Sequence, residues 1–438
     1  MSRRAFYADL YTEHFEELAA MYDCRRASLN NWGSTHEDLA EMESRMEAHL
    51  DGLMLGGKPA MEVVRDQASP ADASSYYGLL ALACRTDRID LIEAALSEMG
   101  AACADPDTNE EDAAAVRCAA ADALCHHLPV RRAGLLVAAV QRADPHVVPV
   151  AAATLGLGRH ACGEELARAI AGPCADLVPV LRALGRLECV DPRALCDHIA
   201  DNRPAVAREA ALGALRRGQV DGLYALHRAW PAAWAAIPLA MCSGPTFCRR
   251  VSDMASDGPP EAMLALGLLG DPAGLDVLLA ALRDEHMASA AALGLFLITG
   301  GGRVEDPVDR TNRPGDDDDG SEDWLSSAAA GISVDPTEWS RWMQTHRTRL
   351  PIGVRHRLGV PSSPSHDFEI LAASAFPLQL RRYLADEWVI RYGVRCDFEA
   401  DMLVGQQVTA LARTRATMHK AQLRAEPGGW YFHGQRVH

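Results

Sequence analysis

The sequence predicts an all-α protein whose middle part is an α-solenoid of helix pairs. The dipeptide Leu-Gly recurs there at intervals of 29, 28, 54 and 27 residues, and the third interval is twice the fourth. A fixed period in this range is typical of stacked helical units, each of which buries an apolar face only against its neighbours. The register skipped by the long interval falls on Leu239-Ala240, inside another alanine-rich run. The five dipeptides that follow this period are Leu155-Gly156, Leu184-Gly185, Leu212-Gly213, Leu266-Gly267 and Leu293-Gly294.

The internal pattern of one unit is the second observation. Residues 261–270 form a short apolar stretch that ends at Gly270, and Asp271-Pro272 follows at once. Aspartate favours the N-cap and proline the first helical position, so a second helix is predicted to begin there. Asp191-Pro192 marks an earlier unit in the same way. Two short helices joined by such a turn resemble a HEAT repeat, so we predict a HEAT-like α-solenoid.

Changes in composition, together with helix-capping residues and runs of glycine and aspartate, divide the chain into four segments. In the first, a helix is predicted to start at Ser34, with Glu37 completing a capping box, and to end at Gly56-Gly57. Gly300-Gly301-Gly302 ends the repeats, and four consecutive aspartates follow in a hydrophilic stretch. The segments are an N-terminal helical cap (1–70), the HEAT-like α-solenoid (71–302), an acidic flexible linker (303–323) and a C-terminal segment containing tryptophan and arginine (324–438).

Charge and hydropathy exclude two classes of partner. The net charge is −17, and residues 1–323 hold 29 Lys and Arg against 50 Asp and Glu. A chain without a basic stripe is not expected to bind nucleic acid, because phosphate contacts depend on clustered Lys and Arg. The longest apolar run, 288–299, is too short to cross a bilayer, and the N-terminus carries no apolar signal segment. We therefore predict a cytoplasmic protein that does not bind a membrane.

The twelve cysteines are interpreted as small buried apolar residues. The densest cluster of potential metal ligands is Cys118, Cys125, His126 and His127, but adjacent histidines on a helix point in different directions. A zinc site needs three or four converging ligands, so no metal and no cofactor are predicted.

Motifs of the common catalytic classes do not occur. The chain has no Gly-x-Ser-x-Gly, no Gly-x-x-x-x-Gly-Lys followed by Ser or Thr, and no His-Glu-x-x-His. We therefore predict a protein that is not an enzyme. A lyase-like activity stays open as an alternative, because short bacterial HEAT repeats resembling these occur in lyases that act on bilin–cysteine bonds.

Both ends of the chain resemble one known family. The stretches His14-Phe15-Glu16-Glu17-Leu18 and Ala48-His49-Leu50-Asp51-Gly52-Leu53 are similar to the opening of an uncharacterised proteobacterial HEAT-repeat family, and residues 376–380 and 397–407 are similar to its ending. That family has an Arg-Gln where this chain has Gln406-Gln407. The resemblance implies an association with type VI secretion gene clusters and brings no catalytic residues.

The polar faces of the second helices are the first candidate binding site. In helix-pair solenoids these helices line the concave surface, which is the usual recognition groove. The predicted partner-binding residues are Glu164, Glu165, Arg168, Arg193, Asp197, Asp221, His227, Arg228, Arg249, Arg250 and Asp253.

The tryptophans of the C-terminal segment supply an alternative site. Trp339, Trp342 and Trp388 either anchor this segment on the repeats or form an exposed patch that grips a partner. The arginines between 341 and 357 could equally dock on the chain's own acidic surface.

The function predicted from these features is a protein-binding scaffold. Its role is that of an adaptor or chaperone for a type VI secretion effector or delivery component, and the alternative is an immunity protein that neutralises a secreted antibacterial toxin. An acidic surface suits either role, because charge complementarity raises the rate of association with a basic protein.

Overall fold

The computed structural model describes residues 3–31, 34–188, 191–255, 258–303, 331–374, 376–421 and 423–437. The predicted all-α class is confirmed, since the regular structure of these residues is helical apart from two small antiparallel hairpins. The helices are α1 (Arg3–Asn30), α2 (His36–Gln67), α3 (Ala73–Arg85), α4 (Ile89–Cys103), α5 (Glu110–His127), α6 (Ala133–Arg142), α7 (Val147–Leu157), α8 (Gly163–Ile170), α9 (Val178–Arg186), α10 (Arg193–Asp197), α11 (Pro204–Arg216), α12 (Val220–Ala229), α13 (Ala236–Cys242), α14 (Thr246–Ala255), α15 (Pro260–Leu269), α16 (Leu275–Ala281), α17 (Ala288–Thr299), α18 (Pro336–His346), α19 (Pro364–Ala372), α20 (Leu378–Tyr392) and α21 (Val404–Ala421). The strands are β1 (His356–Arg357), β2 (Val360–Pro361), β3 (Tyr431–Phe432) and β4 (Gln435–Arg436).

The chain forms two compact units. Unit 1 contains Met1–Ser28, Glu37–Gly213 and Asp401–Gln407, and unit 2 contains Leu29–His36, Ala214–Ala400 and Val408–His438. These units cut across the four segments drawn from the sequence, and the division of the repeats falls at the end of a Leu-Gly dipeptide, Leu212-Gly213. Residues 304–323 of the predicted linker lie outside the described part of the chain.

Within each unit, alternate helices pack against one another. In unit 1, α3 contacts α5, α5 contacts α7 and α7 contacts α9, while in unit 2 α13 contacts α15 and α15 contacts α17. The five Leu-Gly dipeptides that follow the period lie on these odd-numbered helices or on α11, and their leucines are buried. The skipped register, Leu239-Ala240, lies on α13. The period in the sequence therefore marks one helix of each pair; the HEAT-like solenoid itself stays a prediction.

The glycines of these dipeptides let neighbouring helices approach closely. A Cβ atom added at Gly185 would lie 2.6 Å from Cα of Gly213, and one added at Gly267 would lie 2.6 Å from Cα of Gly294. Backbone atoms cannot move aside as a flexible side chain can, so the helices would have to separate. The need for close helix contact explains why glycine follows leucine in the repeat.

Gly267→Ala is expected to lower the free energy of unfolding by roughly 1–3 kcal/mol, because the added methyl group overpacks the contact between α15 and α17. Gly134→Ala on α6 is the matched control, since a Cβ atom there meets nothing within 4 Å. This control should be neutral or slightly stabilising, because alanine favours the helix. Urea unfolding followed by circular dichroism measures both, and equal stabilities of the two variants would contradict the packing argument.

The second N-terminal helix differs from the prediction at both ends. The helix predicted to start at Ser34 begins at His36, and it does not end at Gly56-Gly57. Gly57 adopts φ 58° and ψ −134°, which breaks the helix, but helical structure resumes with Pro59 near the start of the second piece. Proline is tolerated in a first helical turn, because the N–H that it lacks would be unsatisfied there. The glycines therefore mark a kink.

The Asp-Pro turns form helix starts as predicted. Asp271 Oδ1 accepts a hydrogen bond from the backbone N–H of Ala273 at 3.0 Å, and a single 3₁₀ turn, Pro272–Gly274, leads into α16. Asp191 Oδ1 accepts in the same way from Arg193 at the start of α10, at 3.0 Å. Gly270, with φ 81°, ends α15 in the left-handed conformation that glycine adopts without strain.

In unit 2, side chains from the C-terminal segment cap the carboxyl ends of helices. Arg391 Nη2 donates to Ala240 O of α13 at 2.7 Å. Arg357 donates from Nη1 to Gly267 O at 2.9 Å and from Nη2 to Leu268 O at 2.7 Å, at the end of α15. A guanidinium group satisfies carbonyls that have no partner inside the helix and interacts favourably with the negative end of the helix dipole.

Backbone and histidine groups cap two further helices of unit 2. The N–H groups of Leu358 and Gly359 donate to carbonyls of α17 at 2.9 and 2.8 Å. His433 Nε2 lies 3.1 Å from the carbonyl oxygens of both Leu215 and Arg216, at the end of α11. Residues 355–437 thus contribute donors to the ends of α11, α13, α15 and α17.

Candidate partner-binding faces

The predicted partner-binding residues of the second helices all lie on α8, α10, α12 and α14, and each is exposed or half-buried. The first two helices belong to unit 1 and the last two to unit 2. The residues are Glu164, Glu165 and Arg168 on α8, Arg193 and Asp197 on α10, Asp221, His227 and Arg228 on α12, and Arg249, Arg250 and Asp253 on α14. The structure therefore places these side chains on accessible helix faces in each unit.

On α8 and at the start of α10, exposed arginines form short-range ion pairs. Arg168 Nη2 lies 3.7 Å from Glu165 Oε1, and its Nε donates to the carbonyl of Glu164 at 3.2 Å. Arg193 Nε lies 4.0 Å from Asp191 Oδ1. Exposed pairs of this kind contribute little to stability, so these charges can exchange partners at small cost.

The face of α12 and α14 combines apolar and cationic groups. Val220, Tyr224 and Arg228 are exposed at four-residue intervals on α12, so they lie on one side of the helix. Tyr224 is 60% exposed, which is unusual for a large ring. Arg249 and Arg250 are exposed on α14.

Arg250 links the two helices through aromatic rings. Its guanidinium carbon lies 5.5 Å from the ring centroid of Trp230 and 5.6 Å from that of Phe247, within the range of cation–π attraction. The two rings meet edge to face at 5.1 Å, and Arg250 Nη1 lies 3.5 Å from His227 Nδ1. Burial and the nearby Arg250 lower the pKa of His227, so its Nδ1 is available as an acceptor. This face is therefore held in place by the rings beneath it.

The exposed-patch hypothesis for the tail is wrong for Trp339 and Trp388. Both rings are 1% exposed, and their indole N–H groups donate to Ser333 O at 2.6 Å and Pro364 O at 3.0 Å. Trp342 is half-buried, and its ring closes over Gly301 just after α17. These tryptophans are anchors within unit 2, as the other interpretation predicted. Trp324 lies outside the described residues.

The arginines of the same segment divide into two groups. Arg347 binds Asp276 of α16 through two hydrogen bonds of 2.6 and 2.7 Å, which agrees with docking on the chain's own acidic side chains. Arg355 and Arg357 are fully buried, so they do not dock on a surface. Burial of two guanidinium groups requires paired charges and hydrogen bonds.

Glu387 of α20 is the centre of that pairing. It accepts from Arg355 Nη2 at 2.5 Å, from Arg357 Nη2 at 2.8 Å and from Arg391 Nε at 3.1 Å, and all four side chains are buried. Burial, and then repulsion from Arg355, lower the pKa of Arg391 to about 10. Glu387 thus compensates three buried cations at once.

Asp367 of α19 is the second anion of this buried network. Its Oδ2 accepts from Arg355 at 3.0 Å, from Ser362 at 2.5 Å and from the Tyr392 hydroxyl at 2.8 Å. Burial acts to raise the pKa of Asp367, but Arg355, Arg357 and these hydrogen bonds outweigh it and hold the pKa below its usual value. Sequence reasoning did not find the network. The available signal was the Glu387 and Arg391 pair, four residues apart on either side of the apolar run 388–390.

In the cysteine and histidine cluster on α5, Tyr77 of α3 contacts both histidines. The Tyr77 hydroxyl lies 3.2 Å from His126 Nδ1 and 3.0 Å from His127 Nε2, while His126 Nε2 lies 3.0 Å from the carbonyl of Asp401. Since a carbonyl only accepts, His126 Nε2 carries the proton, its Nδ1 accepts from Tyr77, and His127 Nε2 donates to Tyr77. Burial raises the pKa of the Cys125 thiol to about 12. Among the described residues, no group of three or more His, Cys, Asp or Glu side chains is placed to hold a metal ion.

Comparisons with known proteins gave no relative. No protein-family model matches the chain, and neither the curated proteins nor the solved structures contain a match. Within the part of the chain that the structure describes, no helix has the length and apolar character needed to cross a bilayer.

Proposed function

We propose that this protein is a protein-binding scaffold that acts as an adaptor or chaperone for a component of a type VI secretion system. The observation that carries the proposal is the face of α12 and α14, where the exposed Tyr224 lies on the helix next to exposed arginines. Tyrosine, tryptophan and arginine are the residues over-represented at binding hot spots. The secretion setting rests on the resemblance of the two ends of the chain.

The chemistry of this face favours a partner with carboxylates around an apolar centre. Arg228, Arg249 and Arg250 offer planar donors that suit carboxylates, and Val220 and Tyr224 offer apolar area. Arg250 keeps its position through the rings of Trp230 and Phe247, so little side-chain entropy is lost when it binds.

Charge reversal of Arg249 and Arg250 to glutamate is expected to weaken partner binding at least about tenfold. The substitutions replace two hydrogen-bonding cations of the face with anions, which repel the carboxylates of the partner. Pull-down and titration with the products of neighbouring genes measure this. Tyr224→Ala should weaken the same complex without a change of charge. The matched control is charge reversal of Arg341 and Arg349, which are exposed elsewhere in unit 2.

Full binding by a folded Arg249 and Arg250 double variant would overturn the proposed face. The adaptor and immunity roles differ in which domain of the partner the protein binds. An adaptor binds a loading or structural domain, whereas capture and inhibition of a toxic domain would replace the adaptor role with that of an immunity protein.

A further inference from the structure

Two histidines of unit 1 face each other across the first two helices. Nδ1 of His14 on α1 lies 3.1 Å from Nδ1 of His49 on α2, and the two rings meet edge to face with their centroids 5.2 Å apart. Both side chains are half-buried, so water and small solutes reach them. Among the described residues, neither ring forms a hydrogen bond with any group other than the opposite histidine. The pair therefore presents two ring nitrogens that no other side chain occupies.

Gly52 of α2 makes room for the ring of His14. A Cβ atom added at Gly52 would lie 2.9 Å from Nε2, 3.0 Å from Cε1 and 3.1 Å from Cδ2 of that ring. Gly52 follows His49 by three residues, so the two positions lie on the same side of α2. One turn of α2 thus carries one histidine of the pair and positions the other.

The distance between the two Nδ1 atoms suits joint coordination of one metal ion. Histidine nitrogens bind a divalent metal ion such as zinc at about 2.0–2.1 Å. Two such nitrogens are then about 2.9 Å apart when they subtend a right angle at the ion, and about 3.3 Å apart at the tetrahedral angle. The observed separation of 3.1 Å lies between these values. An ion can therefore bridge the pair after small movements of the rings.

The charges around the pair also favour a cation. Burial, and then His14, lower the pKa of His49, so this imidazole is neutral at neutral pH, which is the form that binds metals. The carboxylates of Glu17 and Glu13 lie close enough to stabilise positive charge at His49, and only Arg45 opposes them among the groups that act on this imidazole most strongly. Two carboxylates and one guanidinium leave the immediate surroundings negative.

We propose that His14 and His49 bind a divalent transition-metal ion of the nickel or copper type. Imidazole nitrogen suits these ions, which accept nitrogen and oxygen ligands in tetragonal geometry. Among the described residues, no third His, Cys, Asp or Glu side chain is placed to join the pair, so water completes the coordination. Both Nδ1 atoms must be free of protons in the complex. The imidazole that donates in the metal-free pair therefore carries its proton on Nε2 instead. The bound ion ties α1 to α2, and the site is independent of the face of α12 and α14.

Isothermal titration of the full chain with Ni²⁺ tests the pair as a chelate. His14→Gln and His49→Gln should each weaken the tightest binding step at least about tenfold, because the second nitrogen of a chelate binds intramolecularly. His419→Gln is the matched control, since His419 is exposed on α21 in unit 2, and it should leave this step unchanged. Mg²⁺ should not compete, because it prefers oxygen ligands. Native affinity for Ni²⁺ in both folded single variants would overturn the proposal.

Gly52→Ala tests the position of the His14 ring while both imidazoles are kept. The added methyl group displaces that ring, so Ni²⁺ should bind several-fold more weakly. Unchanged affinity in the folded variant would contradict the assigned geometry.

Electron paramagnetic resonance of bound Cu²⁺ identifies the ligands directly. With less than one equivalent of Cu²⁺, the native chain should show coupling to two nitrogen nuclei, and His49→Gln should show coupling to one. A native spectrum without coupling to two nitrogens, or one that His49→Gln leaves unaltered, would show that the ion binds somewhere else.

Discussion

Glu387→Gln is expected to destabilise unit 2 by about 3–5 kcal/mol, because it removes the shared anion of Arg355, Arg357 and Arg391. Glutamine keeps the size of the side chain, so no cavity contributes to the loss. The three guanidinium groups are fully buried, and among the described residues they would retain only Asp367 as a charged partner. A buried cation that loses its counter-charge bears the full cost of its desolvation.

The carbonyls at the helix ends do not replace Glu387. Arg357 and Arg391 already donate to the ends of α15 and α13, so these acceptors are in use in the native protein. Glu369→Gln is the matched control, because Glu369 forms an exposed pair with Arg415 at 2.9 Å in the same unit. That substitution should cost less than about 1 kcal/mol. Urea unfolding followed by tryptophan fluorescence measures both variants. A Glu387→Gln protein as stable as the control would show that the buried network does not support the fold.

The periodic part of the fold was predictable because its cause is local. Close contact between odd-numbered helices requires glycine at a fixed place, as Gly185 and Gly267 illustrate, and the requirement repeats with the structure. The Asp-Pro turns are likewise encoded within three residues, because Asp271 bonds to a backbone N–H two positions away. Patterns that repeat regularly, or that involve residues two or three positions apart, can be recognised in a single sequence.

Contacts over long sequence distances could not be predicted in this way. Arg357 and Gly267 are separated by 89 intervening residues, and nothing near Arg357 in the sequence identifies the end of α15 as its partner. The arginines of the C-terminal segment therefore suggested a surface role, whereas Arg355 and Arg357 are buried. A pocket in unit 1, between α5, α7 and α9, was missed for the same reason, since the arginines that line it come from α1, α5 and α9.

The candidate binding face of α12 and α14 was predictable only in part. Helical periodicity placed Arg228, Arg249 and Arg250 on accessible faces, which the structure shows. Sequence reasoning did not single out Tyr224, because an exposed ring and a buried ring look alike in a sequence. The stacking of Arg250 on Trp230 and Phe247 also depends on packing between two helices.

The stability of unit 1 is expected to fall when the pH is lowered from 7.5 to 5. Burial, and then nearby arginines, lower the pKa of His127 to about 3, and burial and Arg25 lower the pKa of His126 well below its usual value. The unfolded chain takes up protons near pH 6.5, whereas the folded chain does not, so stability is greatest above pH 6.5 and is lost as the pH falls toward 3. At pH 5 the two histidines together should cost about 4 kcal/mol.

The hydrogen-bond chain explains why the folded protein resists this protonation. A proton added to His126 Nδ1 would face the Tyr77 hydroxyl hydrogen, which now points at that nitrogen, and Arg25 adds a positive charge nearby. Burial raises the pKa values of Glu43 and Asp122. These carboxyl groups therefore increase the stability of the folded state as the pH falls, which opposes the effect of the histidines. A variant that removes only the histidine titration is therefore the decisive comparison.

His126→Gln combined with His127→Gln is that variant, since a glutamine amide can occupy the place of Nε2 and donate to Asp401 O and Tyr77. We expect lower stability than the native chain at pH 7.5 but a shallower decline between pH 7.5 and 5. Urea unfolding, with hydrogen exchange of α5 as a local measure, gives both values. The same slope in the native chain and the double variant would show that other groups control the acid sensitivity of unit 1, because only the two imidazoles differ in their ability to bind a proton.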